Sequence, residues 1–309
     1  MSLGKVAIIG SGAVGSYYGA RLVEHGHDVH FLLRSDYDYV RQHGLQISSI
    51  AGDLHLPHIQ CSTSPAEIGP VDLVIVAWKA TANHAAAETI APLIGPHTAI
   101  LTLQNGLGNC EHLADLFGAD RIIGGLCFVC INRLSPGHIS HTAAGLIRIG
   151  AYAQFPSDRL HHIATTFQSA NFPCQAVSSL EKALWMKLVW NIPFNGLAIA
   201  EGGVDTEVLL HERALEPRIR RLMAEVIATA KALGHHIPDS FIDQQIEITY
   251  PMGPYRPSSM IDFVEGRPVE FNAIWEIPLQ TAQSLNVPTP EIAALTSQIR
   301  DALQEQPHS

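Results

Sequence analysis

The sequence predicts an α/β fold in which an N-terminal, doubly wound parallel sheet is followed by an all-helical domain. Apolar strand patterns alternate with helical patterns through the first half of the chain, an order typical of βαβ units. After about residue 178 only helical patterns occur. A glycine-rich loop also follows the first strand and opens the first helix. We therefore expect two domains, 1–178 and 179–309, which a chain of 309 residues readily accommodates.

The elements of the first domain follow from the spacing of apolar residues. Short apolar runs predict buried parallel strands, and longer runs with helical spacing predict the crossovers between them. The predicted strands are Lys5–Ile9, Asp28–Leu33, Val71–Ala77, Thr98–Leu103, Ile122–Ile131 and Gly145–Ile149, and the predicted helices are Ala13–His25 and His84–Leu93.

The second domain begins after a short turn-rich passage near Asn171–Ser179. The periodic segments beyond it all have helical spacing. Pro193 lies inside the first of these segments and removes one helical hydrogen bond, so we expect a kink there. The predicted helices are Leu180–Ala200, Val208–Leu233, Ser240–Ile248, Ser259–Val264, Val269–Leu285 and Glu291–Gln304.

Composition excludes several classes of function. Lys and Arg total 19 against 29 Asp and Glu, a formal net charge of −10, which disfavours binding to a phosphate polymer such as nucleic acid. No apolar stretch approaches the roughly 18 residues that a membrane span needs, and the first apolar run is too short for a signal peptide. We therefore expect a cytoplasmic protein without nucleic-acid or membrane partners.

The Cys and His residues do not form a pattern that indicates metal binding. The five Cys are an odd number in a long chain, which is typical of reduced thiols. The 17 His are scattered, without an HExxH pattern or a Cys/His finger spacing. Cys127 and Cys130 form a C-x-x-C, but positions i and i+3 of a strand point to opposite faces. The sequence therefore predicts no metal site.

A dinucleotide-binding motif, G-x-G-x-x-G, occupies the turn between the first strand and the first helix. Gly10 permits the tight turn, Gly12 lets a pyrophosphate approach the backbone, and Gly15 lets helix and strand pack closely. The pyrophosphate would then lie at the helix N-terminus. An ordinary glycine turn is the alternative interpretation. The predicted cofactor-binding residues of this loop are Gly10, Ser11, Gly12, Ala13, Val14 and Gly15.

Polar residues follow three further strands of the predicted sheet. Arg34 stands after the second strand, where a site for NAD usually carries Asp or Glu. A guanidinium suits a 2′-phosphate through bidentate hydrogen bonds, so NADP is preferred to NAD. Lys79 and Asn105 follow two later strands. Because ligands of open α/β sheets bind beyond the carboxyl ends of the strands, we expect these residues near the glycine loop, although each also suits a surface or turn role.

The most informative polar residues of the helical half are Lys187, Asn191 and Asn195. Their i, i+4, i+8 spacing places them within an arc of about 80° on one helix face. Their neighbours are strongly apolar, and polar groups there need partners, so a ligand pocket is favoured over a solvated stripe. Ser259 with Asp262 is similar to a capping box, although an N-cap hydroxyl can also face a ligand.

These motifs, in this order, resemble the ketopantoate reductase (2-dehydropantoate 2-reductase) family from about Lys5 to Leu303. The most specific element is Lys187 followed at +4 and +8 by Asn. The resemblance implies a Rossmann domain, an all-helical second domain and an active site in the cleft between them. It also implies NADPH-dependent reduction of a 2-oxo acid to a 2-hydroxy acid, which in this family is the step from 2-dehydropantoate to pantoate in pantothenate biosynthesis.

The resemblance also assigns roles by position. The glycine loop would bind the pyrophosphate, Arg34 the 2′-phosphate, and Lys187 would donate the proton. Glu270 would take part in catalysis, although alone it is similar to a first-turn helix acid. The other residues implied to contact the cofactor are Lys79, Asn105, Cys130 and Glu270, and those implied to contact the substrate are Asn105, Lys187, Asn191, Asn195, Asp205 and Ser259.

Other functions remain open on the sequence. Val269-Glu270-Phe271-Asn272 stands where family members usually have Thr-Glu-Ile-Asp, which leaves a different 2-oxo acid as an alternative substrate. A catalytically silent NADP-binding sensor is a second alternative. The Lys-Asn-Asn row speaks against opine and glycerol-3-phosphate dehydrogenases. Helical second domains often dimerise, so a homodimer is an open expectation.

Overall fold

The chain forms two compact units in the computed structural model, which describes residues 3–305. The first unit comprises Met1–Gln104 with Asn109–Leu180, and the second comprises Asn105–Gly108 with Glu181–Ser309. The outer ends of the predicted domains, 1–2 and 306–309, lie outside the described residues. We keep 1–178 and 179–309 as the proposed division of the sequence, with Asn105–Gly108 as an excursion from the first unit.

A ten-stranded sheet forms the framework of the first unit. Its strands are β1 (Lys5–Ile9), β2 (Asp28–Leu32), β3 (Leu45–Ser49), β4 (Leu54–Leu56), β5 (Gln60–Ser62), β6 (Val71–Val76), β7 (Ile94–Thr102), β8 (Ile122–Ser135), β9 (His138–Ala151) and β10 (Cys174–Ala176). Six adjacent strands in the order β5-β2-β1-β6-β7-β8 are parallel, which is the 3-2-1-4-5-6 order of a doubly wound fold. The predicted fold class is therefore confirmed.

The central strands are buried because their side chains are apolar on both faces. Val6, Ile8 and Ile9 of β1 are completely buried, as are Val74 and Ile75 of β6. Burial on both faces is the usual environment of parallel strands. Because these strands are parallel, their carboxyl ends meet at one edge of the sheet, where the glycine loop begins.

Beyond β8 the sheet contains two antiparallel pairs, which the sequence did not indicate. β8 and β9 are each 14 residues long and form a hairpin, closed by Pro136 and Gly137. Gly137 has φ +67°, a conformation that glycine adopts without strain. β3 then pairs parallel to β9, and β4 pairs antiparallel to β3. The sheet is therefore mixed, with mostly parallel strands.

The helices of the first unit are short apart from two. They are α1 (Ala13–Glu24), α2 (Tyr37–His43), α3 (Pro65–Ile68), α4 (Ala86–Ile90), α5 (Asn109–Phe117) and α6 (Ser157–Ser169). The single helix predicted over His84–Leu93 is wrong, because 3₁₀ turns at Ala80–Ala85 and Ala91–Leu93 flank a short α4. Pro92 lies in the second 3₁₀ turn and has no backbone N–H, so it cannot continue the hydrogen-bond ladder of α4.

The described part of the second unit is helical. Its helices are α7 (Leu180–Ala200), α8 (Thr206–His211), α9 (Leu215–Ala232), α10 (Ser240–Thr249), α11 (Ser258–Val264), α12 (Ile277–Ser284) and α13 (Pro290–Glu305). The single helix predicted over Val208–Leu233 is divided between α8 and α9, and a π-helical turn at Asn272–Glu276 precedes α12. α7 continues through Pro193. Within residues 3–305, none of the helices is both long and apolar enough to cross a membrane.

Candidate active site

The glycine loop lies at the carboxyl end of β1 and leads into α1. Gly10 has φ +89°, and Gly12 stands at the N-cap of α1 in extended backbone, with no side-chain cap. The first turn of α1 carries no acidic residue. Ser11 supports the turn, since its hydroxyl donates to the carbonyl of Leu32 at 3.2 Å. The N–H groups at the start of α1 therefore form a helix terminus of the kind that suits an anion.

The three glycines of the motif differ in what a side chain would meet. A Cβ atom on Gly10 would lie 2.1 Å from the backbone nitrogen of Trp78, and one on Gly15 would lie 2.4 Å from the carbonyl oxygen of Gly10. A Cβ atom on Gly12 would meet nothing within 4 Å. The fold itself therefore requires Gly10 and Gly15. The absence of a side chain at Gly12 leaves open space against the backbone, which fits the close approach of a dinucleotide pyrophosphate.

A cavity of about 210 Å³ adjoins the glycine loop, and its lining includes Gly10, Ser11, Gly12 and Arg34. The structure thus brings together the loop and the arginine that the sequence predicted at the end of β2. Trp78, just beyond the carboxyl end of β6, also belongs to the lining. Lys79 and Cys130 are not among the described residues of this lining. Lys79 follows Trp78 directly, and Cys130 lies within β8 opposite Ala143 of β9.

Two charged residues of this cavity were missed by the sequence analysis. Asp36 and Arg133 both belong to the lining. Nη1 of Arg133 donates to both carboxylate oxygens of Asp36, at 2.6 and 2.7 Å. The two residues are 97 positions apart, and no local motif connects them. Only the unpredicted length of β8 brings Arg133 to the site.

A network of amide side chains holds the indole of Trp78. Oδ1 of Asn83 accepts hydrogen bonds from Nε1 of Trp78 at 3.2 Å and from Nε2 of Gln104 at 2.7 Å. Nδ2 of Asn83 in turn donates to Oδ1 of Asn109 at 2.9 Å. Gln104 and Asn109 are both buried. The network fixes the orientation of the indole and satisfies polar groups that would otherwise be costly to bury.

A second set of predicted site residues lies together in the helical unit. Nζ of Lys187, on α7, donates to Oδ1 of Asn105 at 2.7 Å, although 82 positions separate the two residues. The residues after Asn105 explain the placement: the N–H of Leu107 donates to the carbonyl of Ala273 at 2.9 Å. A Cβ atom on Gly106 would lie 2.3 Å from that same carbonyl oxygen, so only glycine permits the approach.

Asn191 and Asn195 follow Lys187 on α7 and are buried, with 7% and 2% of their surfaces exposed. Oδ1 of Asn195 accepts the backbone N–H of Ser259 at 2.9 Å, and Ser259 is itself buried. The predicted capping box at Ser259 is wrong, because α11 begins one residue earlier and no side chain caps it. The buried carboxylate of Asp262 instead accepts from Nε of Arg267 at 3.0 Å.

Asp205 and Glu270 are placed differently from one another. Asp205 is the N-cap of α8, and its carboxylate accepts the N–H of Val208 at 3.1 Å. Such a cap satisfies a helix-terminal donor, and the substrate contact implied for Asp205 stays a prediction. Glu270 is buried two residues before the start of the π-helical turn, with 6% of its surface exposed. A buried carboxyl requires polar partners, which fits a role within a polar site.

The sequence contains 17 histidines, which raises the question of a metal-binding group among the described residues. Among residues 3–305, no three His, Cys, Asp or Glu side chains are grouped so that they could hold a metal ion. Burial lowers the pKa of His30 and of His141, so these two rings are neutral near pH 7.

The chain is similar to known proteins over most of its length. The family model "Ketopantoate reductase PanE/ApbA" matches residues 6–154, and "Ketopantoate reductase PanE/ApbA C terminal" matches residues 179–303. A 2-dehydropantoate 2-reductase of Nostoc sp. (strain PCC 7120) is 42% identical over 301 residues, which cover 96% of this chain and 94% of the relative.

Solved structures resemble the chain over nearly its whole length. The crystal structure of 2-dehydropantoate 2-reductase from Geobacter metallireducens has a TM-score of 0.94 and 44% identity, covering 96% of this chain and 99% of that one. The enzyme of the same name from Methylococcus capsulatus has a TM-score of 0.89 and 30% identity, covering 98% and 99%. The resemblance noted in the sequence is confirmed, and the chain belongs to the ketopantoate reductase family of oxidoreductases.

Proposed function

We propose that this protein reduces a 2-oxo acid with NADPH, and that the acid is 2-dehydropantoate, which becomes pantoate. The relatives named for this activity match almost the entire chain. The structural observation that carries the proposal is the hydrogen bond from Nζ of Lys187 to Oδ1 of Asn105. It supports the idea that a proton donor is held in one orientation by a neutral amide.

The cofactor residues of the proposal are those of the first unit. The open space at Gly12 and the N-terminus of α1 suit a pyrophosphate. Arg34 supplies a guanidinium for a 2′-phosphate. Asp36 stands two residues later, but its carboxylate is hydrogen-bonded to Arg133, so it is not available in the manner of the ribose-binding acid of an NAD site. These features favour NADPH over NADH. Lys79, Asn105, Cys130 and Glu270 are the further proposed cofactor contacts.

The proposed role of Lys187 is to stabilise the negative charge that develops on the substrate during reduction. When bound, NADPH supplies the hydride that adds to the C2 carbonyl carbon. Protonated Lys187 stabilises the negative charge on the carbonyl oxygen and then transfers a proton to it from Nζ. Positioned general acids of this kind contribute roughly 10²–10⁴-fold to the rate. The products are the 2-hydroxy acid, the oxidised cofactor and a neutral Lys187, which regains its proton from solvent.

The remaining proposed residues orient the substrate. The amide groups of Asn191 and Asn195 would bind its hydroxyl and carbonyl groups, and Ser259 with Asn105 would meet its carboxylate. Asn195 already accepts the N–H of Ser259, so its Nδ2 is the end that can donate to a ligand. Glu270 is assigned to holding Lys187 in its charged form, because an opposite charge favours ionisation. Asp205 completes the proposed set.

The role of Lys187 is tested with Lys187→Ala and a matched control, Lys231→Ala, an exposed lysine on α9. We expect Lys187→Ala to lower turnover by about 10²–10⁴-fold while the Kd for NADPH, measured by fluorescence titration, stays within twofold. Lys231→Ala should behave as the wild type in both assays. Loss of NADPH binding in Lys187→Ala with an intact circular dichroism spectrum would refute the assignment.

Substrate and cofactor are tested by following NADPH absorbance against a panel of 2-oxo acids that includes 2-dehydropantoate, with NADH in parallel. We expect the highest kcat/KM for 2-dehydropantoate with NADPH. A higher value for another 2-oxo acid would assign that acid instead, and tight NADPH binding without turnover would indicate a sensor.

A homodimer is proposed as the solution state, and light scattering would overturn it by giving the mass of one chain. Cell fractionation would test the proposed cytoplasmic location.

A further inference from the structure

The pair formed by Asp36 and Arg133 is not explained by the roles proposed above. The carboxylate of Asp36 is buried, with 9% of the side chain exposed, whereas the side chain of Arg133 is 45% exposed. The hydroxyl of Ser35 also donates to Oδ1 of Asp36 at 2.9 Å. A carboxylate held by three short hydrogen bonds is well fixed, and the arginine bound to it can still contact a ligand from solvent.

The geometry of α2 shows that Asp36 serves the arginine and not its own helix. Asp36 is the N-cap of α2, a position at which an Asp side chain commonly accepts a backbone N–H of the first turn. Here the side chain makes no such bond. It turns instead to a residue near the end of β8, and both groups line the cavity beside Arg34.

We propose that Arg133 is a second arginine of the site for the 2′-phosphate of the cofactor, and that Asp36 is the positioning residue that holds it there. The proposal rests on the proposed use of NADPH. A phosphate monoester carries close to two negative charges at neutral pH. Arg34 alone matches one of them, and Arg133 brings a second guanidinium to the same cavity, with several donors in a planar fork.

The charges of the cavity predict how substitutions act. Within the described lining, Arg34 and Arg133 are positive and Asp36 is negative, so the three sum to +1. Arg133→Gln lowers this sum to zero and leaves the Asp36 carboxylate uncompensated beside the phosphate. Asp36→Asn raises the sum to +2 but removes the acceptor that orients the guanidinium. Combining Asp36→Asn with Arg133→Gln separates the effect of direct contact by Arg133 from the effect of repulsion by an unpaired Asp36 carboxylate.

The experiment measures Kd by isothermal titration for adenosine 2′,5′-bisphosphate and for adenosine 5′-monophosphate, which lacks the 2′-phosphate. We expect Arg133→Gln to weaken the bisphosphate about tenfold or more and the monophosphate less than twofold, since charge-assisted hydrogen bonds are lost only with the former. Arg41→Gln, which removes an exposed arginine of α2 outside the cavity lining, should change neither value more than twofold.

The double variant decides whether Arg133 touches the phosphate. We expect Asp36→Asn/Arg133→Gln to bind the bisphosphate at least threefold more weakly than Asp36→Asn, with the monophosphate unchanged. Equal affinity in those two variants, or equal weakening of both nucleotides in Arg133→Gln, would overturn the inference. A lower melting temperature of Arg133→Gln without a change in the ratio of the two Kd values would show that the Asp36–Arg133 pair only stabilises the fold. If the wild type itself binds both nucleotides equally, the proposed NADPH preference fails instead.

Discussion

Substituting Gly12 by alanine should separate cofactor binding from folding. A Cβ atom at Gly12 meets nothing within 4 Å, and the backbone there is extended, so alanine can adopt it. In the unfolded chain alanine has fewer conformations than glycine, which stabilises the fold by about 0.4–1 kcal/mol. Alanine is, however, a poorer N-cap than glycine. Because the two effects oppose each other, the free energy of unfolding should change by less than about 1 kcal/mol.

Binding should respond far more strongly than stability. The methyl group of Gly12→Ala occupies the space through which a pyrophosphate would reach the N–H groups of α1. Loss of one or two charge-assisted hydrogen bonds, each about 1.5–3 kcal/mol, corresponds to a Kd for NADPH that is higher by roughly tenfold to ten-thousandfold. Gly15→Ala is the matched contrast, since its Cβ atom would lie 2.4 Å from the carbonyl of Gly10. It should destabilise the fold by about 1–3 kcal/mol.

Both quantities are measured on the same preparations. Urea unfolding followed by circular dichroism gives the free energy of unfolding, and fluorescence titration gives the Kd for NADPH. Wild-type stability together with wild-type affinity in Gly12→Ala would show that the pyrophosphate does not lie against this loop. Equal destabilisation by the two substitutions would show that the open space at Gly12 is not a property of the folded protein.

The remaining predictions concern stability and thiol chemistry. The carboxylate of Glu225 accepts two N–H groups at the start of α13, at 2.9 and 2.8 Å, so Glu225→Ala should lower the free energy of unfolding in urea by about 1–2 kcal/mol; no loss would show that this cap is dispensable. Burial opposes the charge on Glu291, but two arginines of α9 outweigh it and lower its pKa from the usual 4.5. The stabilisation that ionised Glu291 gives the folded protein is therefore present above pH 4.5 and lost as the pH falls through the lowered pKa. The difference in free energy of unfolding between wild type and Glu291→Gln should shrink below pH 4.5, and a difference that does not change with pH would contradict this. Burial raises the pKa of Cys110 and of Cys174 to about 12, so mass spectrometry should find both unmodified by iodoacetamide at pH 8 until the protein unfolds; rapid native labelling would contradict this.

The parts of the fold that local pattern determines were predictable. The glycine loop, β1 and α1 follow from a short apolar run, a motif with a known backbone requirement and a helical period, and the structure has β1 at the predicted residues. Arg34 could be placed beside that loop because parallel strands end at the same edge of a sheet. The spacing of Lys187, Asn191 and Asn195 likewise required only the helical period, and all three lie on α7.

The parts that depend on long-range pairing were not predictable. The length of β8 comes from its antiparallel pairing with β9, so an exposed Arg133 near its end carried no signal of a cavity. Asp36 is the N-cap residue of α2, and the carboxylate acceptor that it offers is used by a residue 97 positions away. The prediction for Ser259 was wrong although its local pattern is similar to a capping box. The backbone N–H of Ser259 is instead satisfied by Asn195 of another helix. A local hydrogen-bond pattern cannot exclude a distant partner that satisfies the same group.

The placement of Asn105 shows how such a distant constraint can build a site. Asn105 follows a strand of the first unit, yet Asn105–Gly108 pack within the second. The anchor is the carbonyl of Ala273, which lies in the π-helical turn and accepts the N–H of Leu107. A π turn shifts the helical hydrogen-bond ladder by one residue, so its carbonyls are positioned differently from those of a regular helix. The stretch that departs from the usual family pattern runs directly into this turn. The same local irregularity therefore bears on both the position of Glu270 and the loop that brings Asn105 to Lys187.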